Sequence, residues 1–411
     1  RSNPDEMNRR LNEEFEGGKS NFGFKPAGRL RLELDQWVMD PRHTLFDKRQ
    51  TLSLADGEVA GSYELAGKAM RRTALVVPDE DLLVTRMEDT YRYEAMRYCY
   101  TQQIELYRLY DPEAKILRRG VTDGGVGYIE FGFGGPFHAL IAFRTDGVPW
   151  REPVAESRSV RITLELDYAK QDRFAYDIYL VTVTDPTGKI DLLPEAEARL
   201  ERAVKTGFAA YRKRNLECWH GFWNRTGVAF ADAALEGLWY YSLYQFAATS
   251  RGAVAPGLFG LWNAFGFAPW SGDYHGDINM AMTYWPVFAL NHPELAEPLF
   301  ATLRQIFPEA QRETREYYQI DGVKFPLACS PLGQESTPGY YRMMQCSSGF
   351  YCDAYRKRYR FHPDRTFLEE IYPVLLECSK FYLALCERDS AGRLTIGPSW
   401  APEQEIGRAH V

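Results

Sequence analysis

The chain has 411 residues, enough for roughly two or three domains. Its 56 acidic residues outnumber its 49 lysines and arginines, and the resulting charge of −7 gives nucleic acid or an anionic membrane no electrostatic support as a partner. Hydrophobic residues make up 45% and charged residues 26%, as in ordinary globular proteins, and no apolar run approaches the roughly 20 residues of a membrane span.

In chain order, residues 1–28 are polar and glycine-containing and read as a loose lead-in. From Leu30 the period becomes two. Leu30, Leu32 and Leu34 alternate with Arg31, Glu33 and Asp35, as in a half-buried strand. Strand-like pieces follow at 51–59, 73–77, 82–88, 128–134, 138–148, 160–166 and 178–184, with Asp56-Gly57 and Asp146-Gly147 as turn signals. Strands and turns without intervening helices predict a large antiparallel sandwich. The glycines at 124, 125, 127, 132, 134 and 135 lack phosphate-loop spacing and read as turns and bulges.

Near Leu193 the period becomes helical. Pro194 opens a segment in which Leu200, Val204, Phe208 and Tyr211 recur at helical spacing, a linker helix leaving the sandwich. Residues 235–251 are apolar nearly all round and predict a buried helix. Further helices are expected at about 280–290, 294–306, 308–318, 345–358 and 364–388, the last capped by Asp364. The predicted architecture is an N-terminal β-sandwich over 1–190, a helical linker over 191–232 and a helical domain from 233. The seven cysteines form no C-x-x-C pair, so neither metal nor cofactor is expected.

Seven of the nine tryptophans fall at or after Trp219. The densest group of rings and polar side chains is PWSGDYHGDINMAMTYWP, residues 269–286. Trp270, Tyr274 and Trp285, with Trp262 just upstream, offer apolar faces on which a sugar can stack. Asp273, His275, Asp277 and Asn279 offer groups that bond hydroxyls. Asp277 and Asn279 flank Ile278, and an extended turn would project both the same way. Core filler is the competing role for the rings, and structural hydrogen bonding is the competing role for the polar groups.

This stretch and its surroundings resemble glycoside hydrolase family 95. FKPAGRLRLEL (24–34) is similar to the family's YQPLGDLWLEF, and LWYYSLYQFAATSR with LFGLWN is similar to LYFQYGRYLLIASSR and NLQGIWN. PWSGDYHGDINMAMTYWP is similar to PWSSDYTLNINTQMNYWP, and GPSWAPEQ (397–404) to SPSTSPEN. The resemblance is collinear from about residue 20 to 404. It implies a β-sandwich, a linker and a six-hairpin α/α barrel, incomplete here, over 233–404. It implies an inverting exo-glycosidase acting on terminal α-L-fucosides or α-L-galactosides of oligosaccharides or polysaccharides, of an extracytoplasmic or secreted kind. It also implies that this stretch of chain alone is inactive.

By the same resemblance Glu403 is the catalytic acid, and Asp277 and Asn279 occupy the positions of the family's paired asparagines. The family's base belongs to a later motif that this sequence does not reach. Asp321, in YQIDG, lies too early to be that base. PLACSP (326–331) stands where the family has AHHNTD, and Thr283 replaces an asparagine, so the resemblance bears on the reaction class more than on the sugar. Residues 405–411, EIGRAHV, match the translation of a common sequencing adapter and are expected to be non-native.

Inverting hydrolysis needs an acid for the leaving oxygen and an activated water on the opposite face. Glu403 lies three residues after Trp400, and an apolar ring beside a carboxyl raises its pKa. His220 and Trp223, in HGFW, read as structural. The alternatives are a non-catalytic carbohydrate-binding relative and a glycoside phosphorylase. The latter needs a basic phosphate pocket, and PWSGDYHGDIN contains no lysine or arginine.

Overall fold

The structure, a computed structural model, describes residues 27–34, 46–65, 68–91, 99–108, 114–133, 136–260, 272–337, 342 and 344–396, and short strands at 400–401, 404–405 and 409–410. The lead-in before residue 27 and the expected site residues Trp262, Trp270 and Glu403 lie outside the described residues, as does the side chain of Trp400. The described residues fall into two compact units that divide between Tyr241 and Ser242.

In the first unit, β1 (Arg29–Leu34), β2 (Phe46–Ser53), β3 (Glu58–Leu65), β4 (Lys68–Val76), β5 (Leu82–Tyr91) and β6 (Cys99–Tyr107) are followed by β7 (Lys115–Val121), β8 (Gly127–Gly132), β9 (His138–Asp146), β10 (Trp150–Ala155), β11 (Ser159–Asp167) and β12 (Arg173–Asp185). They form two antiparallel sheets, ordered β1-β6-β11-β10 and β2-β3-β4-β5-β12-β9-β8-β7. The alternation read at 160–166 is expressed on its apolar side. Val160, Ile162, Leu164 and Leu166 are all buried between the sheets, where they join Ile141, Phe143, Tyr176 and Ile178 of the larger sheet.

The larger sheet is covered on its other face too. Leu140, Ala142, Tyr179 and Val181 pack there against Ala196, Leu200, Ala203 and Tyr211 of α1 (Leu193–Trp223). Cover on both faces is why β9 reads as a near-continuous apolar run, HALIAF, where a half-solvated strand would alternate. The expected linker helix is present, but it is interrupted. Gly207 has φ +76° and ψ 156°, outside helical geometry, a conformation glycine adopts at little cost.

The end of α1 grips the β2–β3 turn. Trp223 Nε1 donates to the Leu54 carbonyl at 2.8 Å, Asn215 donates to the Asp56 carbonyl at 2.6 Å, and His220 Nε2 lies 2.9 Å from Asp56 Oδ1. Gly57 in that turn has φ +62°, and a Cβ there would meet Trp219 Nε1 at 1.9 Å. The HGFW segment is therefore structural, as its reading anticipated.

The division between the units falls within α2 (Ala233–Thr249). Its expected burial is corrected. Leu243, Tyr244 and Ala247 are buried, whereas Leu235, Leu238 and Tyr241 are exposed among the described residues. An all-apolar composition states what a helix could bury, not what packs against it.

The second unit is mainly helical. After β13 (Tyr274–His275) come α3 (Asn279–Thr283), a 3₁₀ turn at Pro293–Ala296 and α4 (Glu297–Glu313). Then follow β14 (Ala328–Cys329), α5 (Cys346–Phe361), α6 (Arg365–Leu385), β15 (Cys386–Arg388) and β16 (Leu394–Ile396). The helix expected at 280–290 is reduced to α3 and a series of turns. Pro286 lacks the N–H for a continuing helix and crowds the preceding turn.

The opposite happens at Pro308, where a break between two helices was expected. There α4 runs through the proline, because Leu303, Ile306 and Ala310 are buried on both sides of it. At the start of α6, Asp364 accepts from Thr366 N at 2.9 Å, the predicted cap. Phe367, Ile371, Cys378 and Phe381 form its buried stripe, and Phe367 packs on Tyr355 of α5.

Candidate active site

The polar part of 269–286 is held by a two-stranded ladder. Tyr274 pairs with Cys329 and His275 with Ala328, and Gly276 N donates to the Leu327 carbonyl at 2.5 Å. Gly276 is required by close approach, since a Cβ would meet the Tyr351 hydroxyl at 2.6 Å and the Pro326 carbonyl at 2.8 Å. The strand opposite is fixed by a buried carboxylate. Glu335 accepts from Leu327 N at 3.2 Å and Ala328 N at 3.1 Å, and Thr337 Oγ1 also donates to it. Lys324 Nζ lies 3.4 Å from its Oε2. Burying this pair is tolerable only because the carboxylate is saturated with donors.

Glu313 adds a second carboxyl, accepting from Glu335 N at 3.4 Å. Burial, reinforced by the Glu335 charge, pushes it up to about 7.

Beside the ladder is a cavity of 380 Å³. Phe246, Leu258, Met280 and Tyr284 supply apolar lining, and Tyr274, His275 and Asn279 supply polar groups. This mix of apolar walls with a few convergent polar groups suits a small organic ligand. Tyr274 donates to the Ala255 carbonyl at 2.8 Å, and its burial raises the phenol above the usual range. Phe246 meets Tyr284 edge-on with ring centres 5.3 Å apart.

His275 is the imidazole on the cavity wall. Its Nε2 lies 2.9 Å from Asp273 Oδ1, and the other oxygen of Asp273 accepts from the Ser336 hydroxyl. Burial opposes a charge on the ring. The adjacent Asp273 carboxylate, with the charge of Asp277, outweighs it and leaves the pKa raised.

The expected extended turn at Asp277–Asn279 is corrected. Asn279 is the first residue of α3, and Ile278 before it has φ −157° and ψ −35°, which is not a strand conformation. Asn279 consequently lines the cavity while Asp277 does not. The Oδ1 of half-buried Asp277 is shielded from solvent and has no hydrogen-bond partner among the described residues. A buried carboxylate oxygen without a donor is costly, so it is where a water or a ligand hydroxyl would be held.

Of the expected stacking rings, Tyr274 is buried structure with one face on the cavity. Trp285 is exposed, stands outside the cavity lining and carries Lys357 Nζ 4.8 Å from its ring centre. Asp273 was legible as a polar member of the motif but not as the partner of His275. Ser336, Glu335 and Glu313 went unread, since nothing in their local sequence marks them. Lys324, a lone charge in the apolar run GVKFPL, was the available cue.

Comparison with known proteins places residues 221–410 in a match to the glycosyl hydrolase family 95 catalytic domain. "Probable alpha-fucosidase A" of Aspergillus niger is 27% identical over 182 residues, 42% of this chain and 23% of that protein. "Alpha-L-fucosidase 2" of Arabidopsis thaliana is 27% identical over 175 residues, 41% of this chain and 21% of that protein. The chain spans about a fifth of the length of the curated relatives it matches. A solved structure named for a kojibiose phosphorylase from the human microbiome superposes with a TM-score of 0.74 at 14% identity, over 90% of this chain and 51% of that one. At that identity the likeness concerns the fold alone.

Proposed function

We propose that the protein containing this chain, whose residues 221–410 match the glycosyl hydrolase family 95 catalytic domain, hydrolyses terminal α-L-fucosides, or the related α-L-galactosides, with inversion. The family match carries this reading, because it spans both the 269–286 motif and Glu403. In the proposed roles Glu403 protonates the leaving oxygen. Asp277, with its unpartnered oxygen, and Asn279, on the cavity wall, hold the water or the sugar hydroxyls. Tyr274, His275, Trp285, Trp262, Trp270 and Trp400 are proposed to contact substrate.

The domain division proposed is a sandwich over 1–190, a linker over 191–232 and part of a six-hairpin α/α barrel from 233. In support, β12 ends at Asp185, α1 begins at Leu193, and α5 and α6 form a consecutive packed pair.

Hydrolysis is favoured over phosphorolysis because the described residues lining the cavity include no lysine or arginine to cradle phosphate. The test is to incubate the intact protein with an α-L-fucoside and an α-L-galactoside, with and without inorganic phosphate. Free sugar released at equal rates in both is expected. Sugar 1-phosphate formed only with phosphate would overturn the reaction class, and no turnover of either substrate would overturn the substrate class.

A further inference from the structure

We infer that Cys352 and Cys378 form a dithiol site that a small-molecule disulfide oxidises to a bond stapling α5 to α6, an inference independent of the proposed glycosidase chemistry. The register of the two helices brings the residues together. They run in opposite directions: Tyr355 meets Phe367 near the connecting turn, and Gly349 N donates to the Tyr382 hydroxyl at 3.1 Å far from it. Gly349, Cys352 and Tyr355 lie three apart and share one side of α5, while Cys378 precedes Tyr382 by one turn of α6. One turn from the Gly349–Tyr382 contact, Cys352 and Cys378 therefore stand opposite each other, and their thiols interact directly. Both are free. A disulfide needs Cα atoms within roughly 4.4–6.8 Å, and the small residues Ser348 and Gly349 beside Cys352 leave room for that approach.

The two thiols are unequal in the way that exchange requires. Cys378 is buried, and the neighbouring Cys352 sulfur together with that burial pushes its thiol up. Cys352 is only half-buried, and the Cys378 thiol beside it holds it below the usual thiol range. Cys352 is thus the attacking thiolate. It bonds to one sulfur of the small disulfide, whose S–S bond breaks and releases one thiol carrying the proton that Cys352 lost. Cys378 then gives up its proton and attacks Cys352 Sγ in the mixed disulfide, releasing the second thiol. The two protein thiols are oxidised, and the small disulfide is reduced to two thiols. The bond closes where the helix pair carries the segment leading to β14. Ser348 Oγ accepts from Phe325 N at 2.9 Å, and the carbonyl of Glu377, next to Cys378, accepts from Val323 N at 3.0 Å.

The experiment incubates the intact protein with excess oxidised glutathione, quenches with acid, then unfolds, alkylates and digests it for mass spectrometry. A peptide pair joined through Cys352 and Cys378, and separated by a reductant, is expected. The oxidised protein should melt about 3–10 °C above the reduced one, because the bond closes a loop of about 26 residues in the unfolded chain. Cys352→Ser and Cys378→Ser should each abolish both the link and the difference in Tm, whereas Cys346→Ser should change neither. Full alkylation of both thiols despite the excess oxidant would overturn the inference. So would a mixed disulfide that goes no further, a link from Cys352 to any other cysteine, a linked protein with unchanged Tm, or a Tm difference that survives in either of the first two variants. If a serine variant does not fold, the peptide map and the Tm difference of the wild type decide.

Discussion

At Glu403 the proposed chemistry reduces to one proton. Replacing the carboxyl with an amide keeps its shape but removes the acid, so Glu403→Gln in the intact protein should lower kcat on an unactivated disaccharide by about 10²–10⁴-fold. Aryl fucosides with strongly acidic leaving groups need that proton less and should lose less. Steady-state rates on the two substrate types check this, and wild-type turnover of the disaccharide would remove Glu403 from the mechanism. His275 makes a second residue-scale prediction. Its folded pKa is raised, so its protonated form stabilises the fold below the unfolded value of about 6.5, and this is lost as pH rises through the folded value. His275→Gln should accordingly lower Tm more at pH 5.5 than at pH 8.5, and thermal melts at the two pH values measure it.

Among the elements, the β14 anchor carries a pH dependence of the same sign. Glu313 is a carboxyl whose folded pKa is raised, to about 7, so the native state binds its proton more tightly than the unfolded chain. Stability from this group is greatest below the unfolded carboxyl value of about 4.5 and declines as pH rises toward 7. Two to three pKa units correspond to about 3 kcal/mol, an upper figure once nearby Lys324 and Arg342 relax. Glu313→Gln should therefore stabilise the protein by about 1–3 kcal/mol at pH 8 and by little at pH 4.5, as chemical denaturation at both pH values would show. In the sandwich, Gly57→Ala combines a left-handed backbone with a Cβ driven into buried Trp219. A loss of about 2–4 kcal/mol is expected in the same assay.

Over the whole molecule, what could be read in the sequence follows how local each feature is. The strands of the sandwich were legible because alternation such as Val160, Ile162, Leu164 and Leu166 records which side is buried within a few residues. The cap at Asp364 is equally local. The two prolines were not legible. Pro286 ended a helical run and Pro308 did not, because burial of Leu303, Ile306 and Ala310 supports the second, and that burial comes from distant segments. The candidate site divides in the same way. Tyr274, His275 and Asn279 announced themselves as a dense motif, whereas Ser336 and Glu335 reach the site only through a ladder between segments more than fifty residues apart.

The inverting glycosidase reading is the claim on which these roles depend. Inversion requires water to attack the face opposite the leaving group, so the first sugar released from an α-linkage must be the β-anomer. Proton NMR of the products formed by the intact protein from an α-L-fucoside, recorded before mutarotation, tests this directly. A β-L-fucose signal that appears first and decays toward the equilibrium mixture is the predicted result, and α-L-fucose appearing first would contradict the account.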